Sequence, residues 1–200
     1  MPDTPTTPFP ITCIIFAGGK SSRMGRNKAL LPFGGAPTLA QFQYDRLSPL
    51  FTATYLAVKS STDFPAGIPV LTDDPAFETY APTAGFVSAF RALGDERIFA
   101  ISVDTPFIDR TIIAALLAAD GAGLDAVIAR TGEGMHPLCG IYHRQLLPRF
   151  EAMAAANDHK LGKMLQGSRV AYVDFENEEP FANLNHPHEY AAALQRFRNH

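Results

Sequence analysis

Two hundred residues, 46% hydrophobic and 18% charged, are enough for one compact domain with a sizeable core. A net charge of -3 provides no global basic field, which argues against nucleic acid or an anionic membrane surface as partner and requires any phosphate site to be local. No apolar run is long enough to span a bilayer, and Cys13 and Cys139 lie in apolar runs (TCIIFA and PLCGIY) that read as buried free thiols, not as a disulfide or a metal site.

The opening MPDTPTTPFP is rich in Pro and Thr and lacks the cationic and apolar parts of a signal peptide. Residues 1–10 are therefore expected as a flexible arm, followed by one domain over 11–200 in the cytoplasm. ITCIIFA (11–17) is a continuous apolar run, the pattern of a central strand buried on both faces. After a polar loop, TLAQFQYDRL (38–47) places Leu39, Phe42 and Leu47 at helical spacing. TYLAVK (54–59) and IPVLTD (68–73) predict a second and a third strand. AGFVSAFRAL (84–93) predicts a helix ended by Gly94. RIFAISVD (97–104) is a fourth buried strand, closing on Asp104. DRTIIAALLAA (109–119) follows as an apolar helix with Asp109 as its N-cap.

DAVIAR (125–130) and PLCGIYHR (137–144) predict two more strands. QLLPRFEAMAAA (145–156) is a helix with Pro148 in its first turn, where proline is tolerated. KLGKMLQG (160–167) is a short helix, RVAYVDF (169–175) a late or edge strand, and HEYAAALQRFRN (188–199) a terminal helix. Strands alternating with helices predict an α/β, three-layer architecture with a mainly parallel sheet. Ligands of such sheets bind at the carboxyl ends of strands. Two polar features sit there: the loop after the first strand, and Asp104.

That loop contains Gly19-Lys20-Ser21, which invites comparison with a P-loop. A Walker A motif also needs a glycine at position 14, which is Ile14 inside the strand. A dinucleotide fingerprint needs a glycine at position 20, which is Lys20. What remains is A-G-G-x-S-x-R-M-G-x-x-K, from Ala17 to Lys28. Gly18 and Gly19 let backbone approach a ligand without Cβ interference, and successive N–H groups can face phosphate oxygens. Arg23 can bridge two phosphate oxygens with its planar fork, while Lys28 is a mobile point charge.

This pattern closely resembles the signature loop of the nucleotidyltransferases that act on molybdopterin, sugar phosphates or methylerythritol phosphate. AGGKSSRMGRNKALLPFGGAPTL looks most like the molybdenum cofactor guanylyltransferases; relatives that use CTP usually carry Ala-Ala-Gly where this chain has Ala17-Gly18-Gly19. VLTDDP (70–75), APTAGFVSAF (81–90), SVDTPFID (102–109), HPLCGIYHRQLLP (136–148) and FANLNHPHEY (181–190) fall in the family's order. The resemblance implies a Rossmann-like nucleotidyltransferase fold. It also implies transfer of GMP from GTP to the terminal phosphate of molybdopterin, with Mg²⁺ (or Mn²⁺) as cofactor and pyrophosphate as leaving group.

By that resemblance, Phe16, Ala17, Gly18, Gly19, Lys28, Asp73, Gly85 and Asp104 surround the nucleotide. Arg23 and Lys28 stabilise charge on the transferring phosphoryl group. Asp104, in the family's D-x-P motif, holds the metal, which suits an ion that takes one or two carboxylates and leaves phosphates and waters to complete its shell. Asp73 lies near base and ribose, and a carboxylate can accept both N1–H and N2–H₂ of guanine. Gly85 matches the last glycine of a G-P-L-A-G loop in which Ala81 and Thr83 here replace glycine and leucine. Asn183 and Asn185 match paired asparagines on the pterin and phosphate side. His136, near the pterin side of the family's layout, reads as a structural or surface residue.

Read alone, Asp104 and Asp73 are also compatible with turn positions, and the asparagines with a turn before the last helix. The residues leave open the same fold using CTP or another phosphate acceptor, and a non-catalytic nucleotide-binding protein. Implied partners beyond the substrates are a small GTP-binding adaptor, the molybdenum-inserting protein and molybdoenzyme chaperones.

Overall fold

The structure is a computed structural model that describes residues 7–18, 27–60, 64, 67–74 and 81–198. Seven strands form one sheet: β1 (Phe9–Phe16), β2 (Phe51–Val58), β3 (Val70–Thr72), β4 (Arg97–Ser102), β5 (Ala126–Thr131), β6 (Gly134–His143) and β7 (Val170–Asp174). Their order is β3-β2-β1-β4-β6-β5-β7. All pairings are parallel except those made by β6. The helices are α1 (Leu39–Leu47), α2 (Pro82–Leu93), α3 (Arg110–Ala118), α4 (Leu147–Ala155), α5 (Leu161–Gln166) and α6 (Pro187–Arg198). None among the described residues is long and apolar enough to cross a membrane.

The three layers follow from the strand pattern. In β1, Cys13 and Ile15 face one side and Ile14 and Phe16 the other, and all four are buried. The first face packs against Leu39 and Leu47 of α1, Ile113 and Leu116 of α3, and Ala193 of α6. The second packs against Phe86 and Phe90 of α2, Phe150 of α4, and Leu161 and Leu165 of α5. Phe86 and Phe150 stack with centroids 4.4 Å apart, locking α2 to α4. Both cysteines are free and buried.

Local signals for helix ends hold. Thr38 caps α1 through its hydroxyl, which accepts from Gln41 N at 3.0 Å. Asp109 caps α3, accepting from Ile112 N at 2.9 Å. Gly94 closes α2 in the left-handed region at φ 71°, where it costs a glycine nothing.

Several boundaries differ from the sequence expectation, among them β2, which begins at Phe51 instead of residue 54. β1 begins at Phe9, inside the stretch read as an arm: Phe9 pairs with Phe51 of β2 and packs its ring against it at 5.9 Å. α2 starts at Pro82 instead of residue 84, because proline fits the first position of a helix. β6 starts at Gly134 instead of residue 137. Thr131 pairs with Gly134 across a two-residue turn, Gly134 taking φ 124°, and so tight a turn can only join antiparallel strands. β7 closes the sheet as an edge strand beside β5.

Candidate active site

The register of the three central strands brings their carboxyl ends to one line. Phe16 pairs with Ala57 of β2 and with Ser102 of β4. Ala17 N donates to Ala57 O, Asp73 N to Val58 O and Val103 N to Phe16 O, each at 3.0 Å. The residues that follow these strands therefore share one edge: Ala17 and Gly18 after β1, Asp73 after β3, Asp104 after β4. Gly19 and Arg23 of the signature loop lie outside the described residues.

Asp104 is buried, with 7% of its surface exposed. Ser102 Oγ donates to its Oδ1, and Lys28 Nζ donates to its Oδ2. Lys28 also donates to Asn185 Oδ1 at 3.1 Å. Three residues separated by 76 and 157 positions thus meet at one ammonium. Lys28 is aimed from a short 3₁₀ turn that Asn27 caps, its Oδ1 accepting from Ala29 N at 3.1 Å. Asn185 is brought in by Leu184, whose N–H donates to Asp104 O at 3.0 Å while its side chain enters the core. The turn after β4 is closed by Thr105, whose hydroxyl donates to Ser102 O at 3.0 Å, so the Asp104 carboxylate is left for Lys28 and Ser102.

Two clefts flank this contact. One is narrow and lined by Phe16, Gly18, Ala57, Asp73, Ala81, Pro82 and Gly85. Gly85 is buried against Phe16: a Cβ there would stand 2.8 Å from Phe16 Cε1, so only glycine lets α2 press this close. Asp73 Oδ1 is buried with no hydrogen-bond partner among the described residues. Burial raises the Asp73 pKa to about 6, with Lys59 opposing.

The other is a cavity of about 410 Å³, whose polar end carries Ser102, Asp104, Asn183 and Asn185. Its remaining walls include Met135, His136, Leu138, His159 and Leu161. A sheet irregularity shapes it: Ile128 pairs with Gly140 but Ala129 with His136, so residues 137–139 of β6 have no partner on β5, although Cys139 still pairs with Ile101 of β4. Tyr142 holds this excursion, its hydroxyl donating to Pro137 O at 2.5 Å. His136 stacks on Phe181 at 4.6 Å and faces Thr131 Oγ1 through Nε2 at 3.0 Å. Burial lowers its pKa.

Of the residues expected around the nucleotide, the structure lines the narrow cleft with Phe16, Gly18, Asp73 and Gly85, and it sets Lys28 and Asp104 against Asn185, which shares the larger cavity with Asn183. Sequence reasoning set His136 aside, and the structure puts that ring on the cavity wall. It also passed over Gln43, whose fully buried amide donates to Val103 O at 3.3 Å and Thr105 O at 3.1 Å, bracing the Asp104 turn from α1. Arg46 Nη2 in turn donates to Gln43 Oε1 at 2.7 Å, and burial draws the Arg46 pKa down to about 10. The signal was present: Gln43 stands four residues after Leu39, on the apolar face of α1, where an amide needs internal partners.

The chain is similar to known proteins over most of its length. The profile of the MobA-like NTP transferase domain matches residues 13–174. The molybdenum cofactor guanylyltransferase of Campylobacter jejuni (strain RM1221) is 33% identical over 180 residues, covering 90% of this chain and 93% of that protein. Among solved structures, molybdopterin-guanine dinucleotide biosynthesis protein A from Archaeoglobus fulgidus superposes with a TM-score of 0.80 at 18% identity, over 95% of this chain and 100% of that one. A manganese complex of Rv0371C from Mycobacterium tuberculosis H37Rv gives 0.68 at 16% identity, over 94% and 99%. The last two establish the fold, and the profile and the Campylobacter relative establish kinship: the chain belongs to the MobA-like NTP transferase family.

Proposed function

We propose that this protein is a molybdenum cofactor guanylyltransferase, transferring GMP from GTP to the terminal phosphate of molybdopterin and releasing pyrophosphate. The observation that carries the reading is the meeting of Lys28, Asp104 and Asn185 between a narrow glycine-lined cleft and a larger cavity. GTP occupies the first, with its base toward Asp73 and Gly85, and molybdopterin the second. An oxygen of the molybdopterin phosphate attacks the α-phosphorus, the bond to the β-phosphate bridging oxygen breaks, and pyrophosphate leaves with that electron pair. The attacking phosphate is already a nucleophile, so no covalent enzyme intermediate forms. Catalysis is positioning and electrostatics. Lys28 and Arg23 meet the charge that builds on the phosphoryl oxygens.

A divalent cation fits the donor set. Asp104 offers one carboxylate beside the Asn185 amide oxygen at the polar end of the larger cavity, and no cluster of three His, Cys, Asp or Glu exists among the described residues. That is the arrangement for Mg²⁺ or Mn²⁺, which leave most of their shell to phosphates and waters. Bound there, the ion would screen the triphosphate. The manganese complex of the Mycobacterium tuberculosis homologue supports the same view.

The test is pyrophosphate release from GTP and, separately, from CTP, with Mg²⁺ and molybdopterin. Release from GTP alone is expected. Release from CTP in its place overturns the guanylyl reading, and release from neither overturns transfer to this acceptor.

Asp73 supplies a pH signature. Only the ionised carboxylate can accept both guanine N–H groups, and its pKa is about 6. GTP affinity is therefore expected to fall as pH drops through about 6, and calorimetric titration should show that fall lost in Asp73→Asn. The sign for stability is opposite. A carboxyl whose folded pKa lies above its unfolded value stabilises the fold while protonated, and that contribution is lost as pH rises through the folded value. Asp73→Asn should hence melt higher than the native protein near neutral pH while binding GTP less well.

A further inference from the structure

His159 lines the larger cavity from the loop between α4 and α5. Both its ring nitrogens are engaged: Nδ1 lies 2.6 Å from Thr83 Oγ1, and Nε2 lies 2.7 Å from Asn157 Oδ1. An amide oxygen only accepts, so Nε2–H donates to Asn157, the tautomer that leaves Nδ1 to accept from the Thr83 hydroxyl. The loop is built to hold this aim. Asn157 adopts φ 52°, a conformation asparagine tolerates better than most residues. Asp158 N donates to Met153 O at 2.9 Å, and Leu161 N to His159 O at 3.0 Å.

Thr83 is fully buried in the first turn of α2, next to Pro82 and two residues before Gly85, both of which line the narrow cleft. One partly buried hydrogen bond therefore joins the nucleotide-side helix to the wall of the acceptor cavity. A ring with both nitrogens engaged has no position left for proton transfer. What it offers the cavity is a fixed flat surface. Met135, Leu138 and Leu161 add apolar surface, whereas Asp104 and Asn185 mark the polar end. A planar heterocycle carrying a phosphate fits that division, the phosphate at the polar end and the ring among the flat and apolar groups.

We propose that Thr83 and His159 form a positioning pair for the acceptor: the hydroxyl fixes the imidazole, and the imidazole forms the surface against which the acceptor's ring system lies. The inference rests on the guanylyl-transfer reading, which supplies molybdopterin as occupant. Thr83→Val keeps the shape and removes the donor, and Thr83→Ser keeps the donor. The dissociation constant of molybdopterin is measured by equilibrium dialysis without GTP, and that of GTP by calorimetry without molybdopterin. Thr83→Val is expected to weaken molybdopterin about tenfold and GTP by less than about twofold, and Thr83→Ser to restore native binding.

An unchanged molybdopterin constant in Thr83→Val, equal weakening of both ligands, or failure of Thr83→Ser to recover would each overturn the pair. A native protein that binds both ligands yet releases no pyrophosphate overturns the transfer reading, while these binding data still decide the pair. A native protein that does not bind molybdopterin overturns both.

Discussion

Asp104→Asn should lower the rate of pyrophosphate release from GTP by about 10³-fold, with little change in thermal stability. The substitution keeps the shape of a side chain that is 7% exposed and lets the Ser102 hydroxyl keep an oxygen to bond. It removes the negative charge that Lys28 faces and that a divalent cation would require. The turn carrying it is held by backbone and by Gln43, not by the carboxylate, so the fold does not depend on the charge. A melting temperature within about 2–4 °C of native corresponds to roughly 1 kcal/mol in a chain of this size. A second readout avoids turnover. Mn²⁺ binding in the presence of a non-hydrolysable GTP analogue, followed by electron paramagnetic resonance, should weaken sharply. Retention of more than a tenth of native turnover would remove Asp104 from the metal role.

Lys28→Ala is expected to lower turnover by about 10²–10³-fold, the scale for losing one preorganised charge at a reacting centre. Its ammonium touches Asp104 and Asn185, so without substrate it neutralises a buried carboxylate. In the proposed mechanism it would give up that contact during transfer and turn to the α-phosphoryl oxygens. A mobile point charge can make this exchange, and the planar fork of arginine fits it poorly, so Lys28→Arg should not rescue. Stability should fall only slightly, since Asp104 lies at the polar end of the larger cavity and keeps Ser102. Steady-state assays of pyrophosphate release, paired with thermal melts, check both statements. If Lys28 and Asp104 act as one unit, as the proposed mechanism requires, the Lys28→Ala/Asp104→Asn double variant should lose little more than the worse single one. Native turnover in Lys28→Ala would sink the proposed mechanism.

Much of this was legible in the chain. The apolar run at 11–17 and the Ile-Phe-Ala-Ile stretch within 97–104 announced strands buried on both faces, and the two helix layers bear that out. Thr38, Asp109 and Gly94 act within a turn of where they stand, so sequence alone can place them. β6 was harder. Its direction depends on a turn of Gly132 and Glu133 and on pairing with β4, more than thirty residues earlier in the chain. The same irregularity that leaves residues 137–139 without partners on β5 makes the cavity wall, and no local pattern predicts it. Gln43 and His159 were missed for a related reason. A polar residue shows in sequence only as polar, and its value here lies in partners 59 to 76 residues away.

The sequence by itself determined the class of fold, the helix caps, the buried thiols and the spacing of Lys28, Asp104 and Asn185. Each of these follows from side-chain periodicity or from backbone preference over a few residues. Only the tertiary structure decided that these three meet at one ammonium, that a buried oxygen of Asp73 has no partner among the described residues, and that Thr83 reaches His159. The physical reason is the same in each case. Parallel strands set in register carry distant loops to one edge of the sheet, and the burial that raises the Asp73 pKa is a property of everything packed around it.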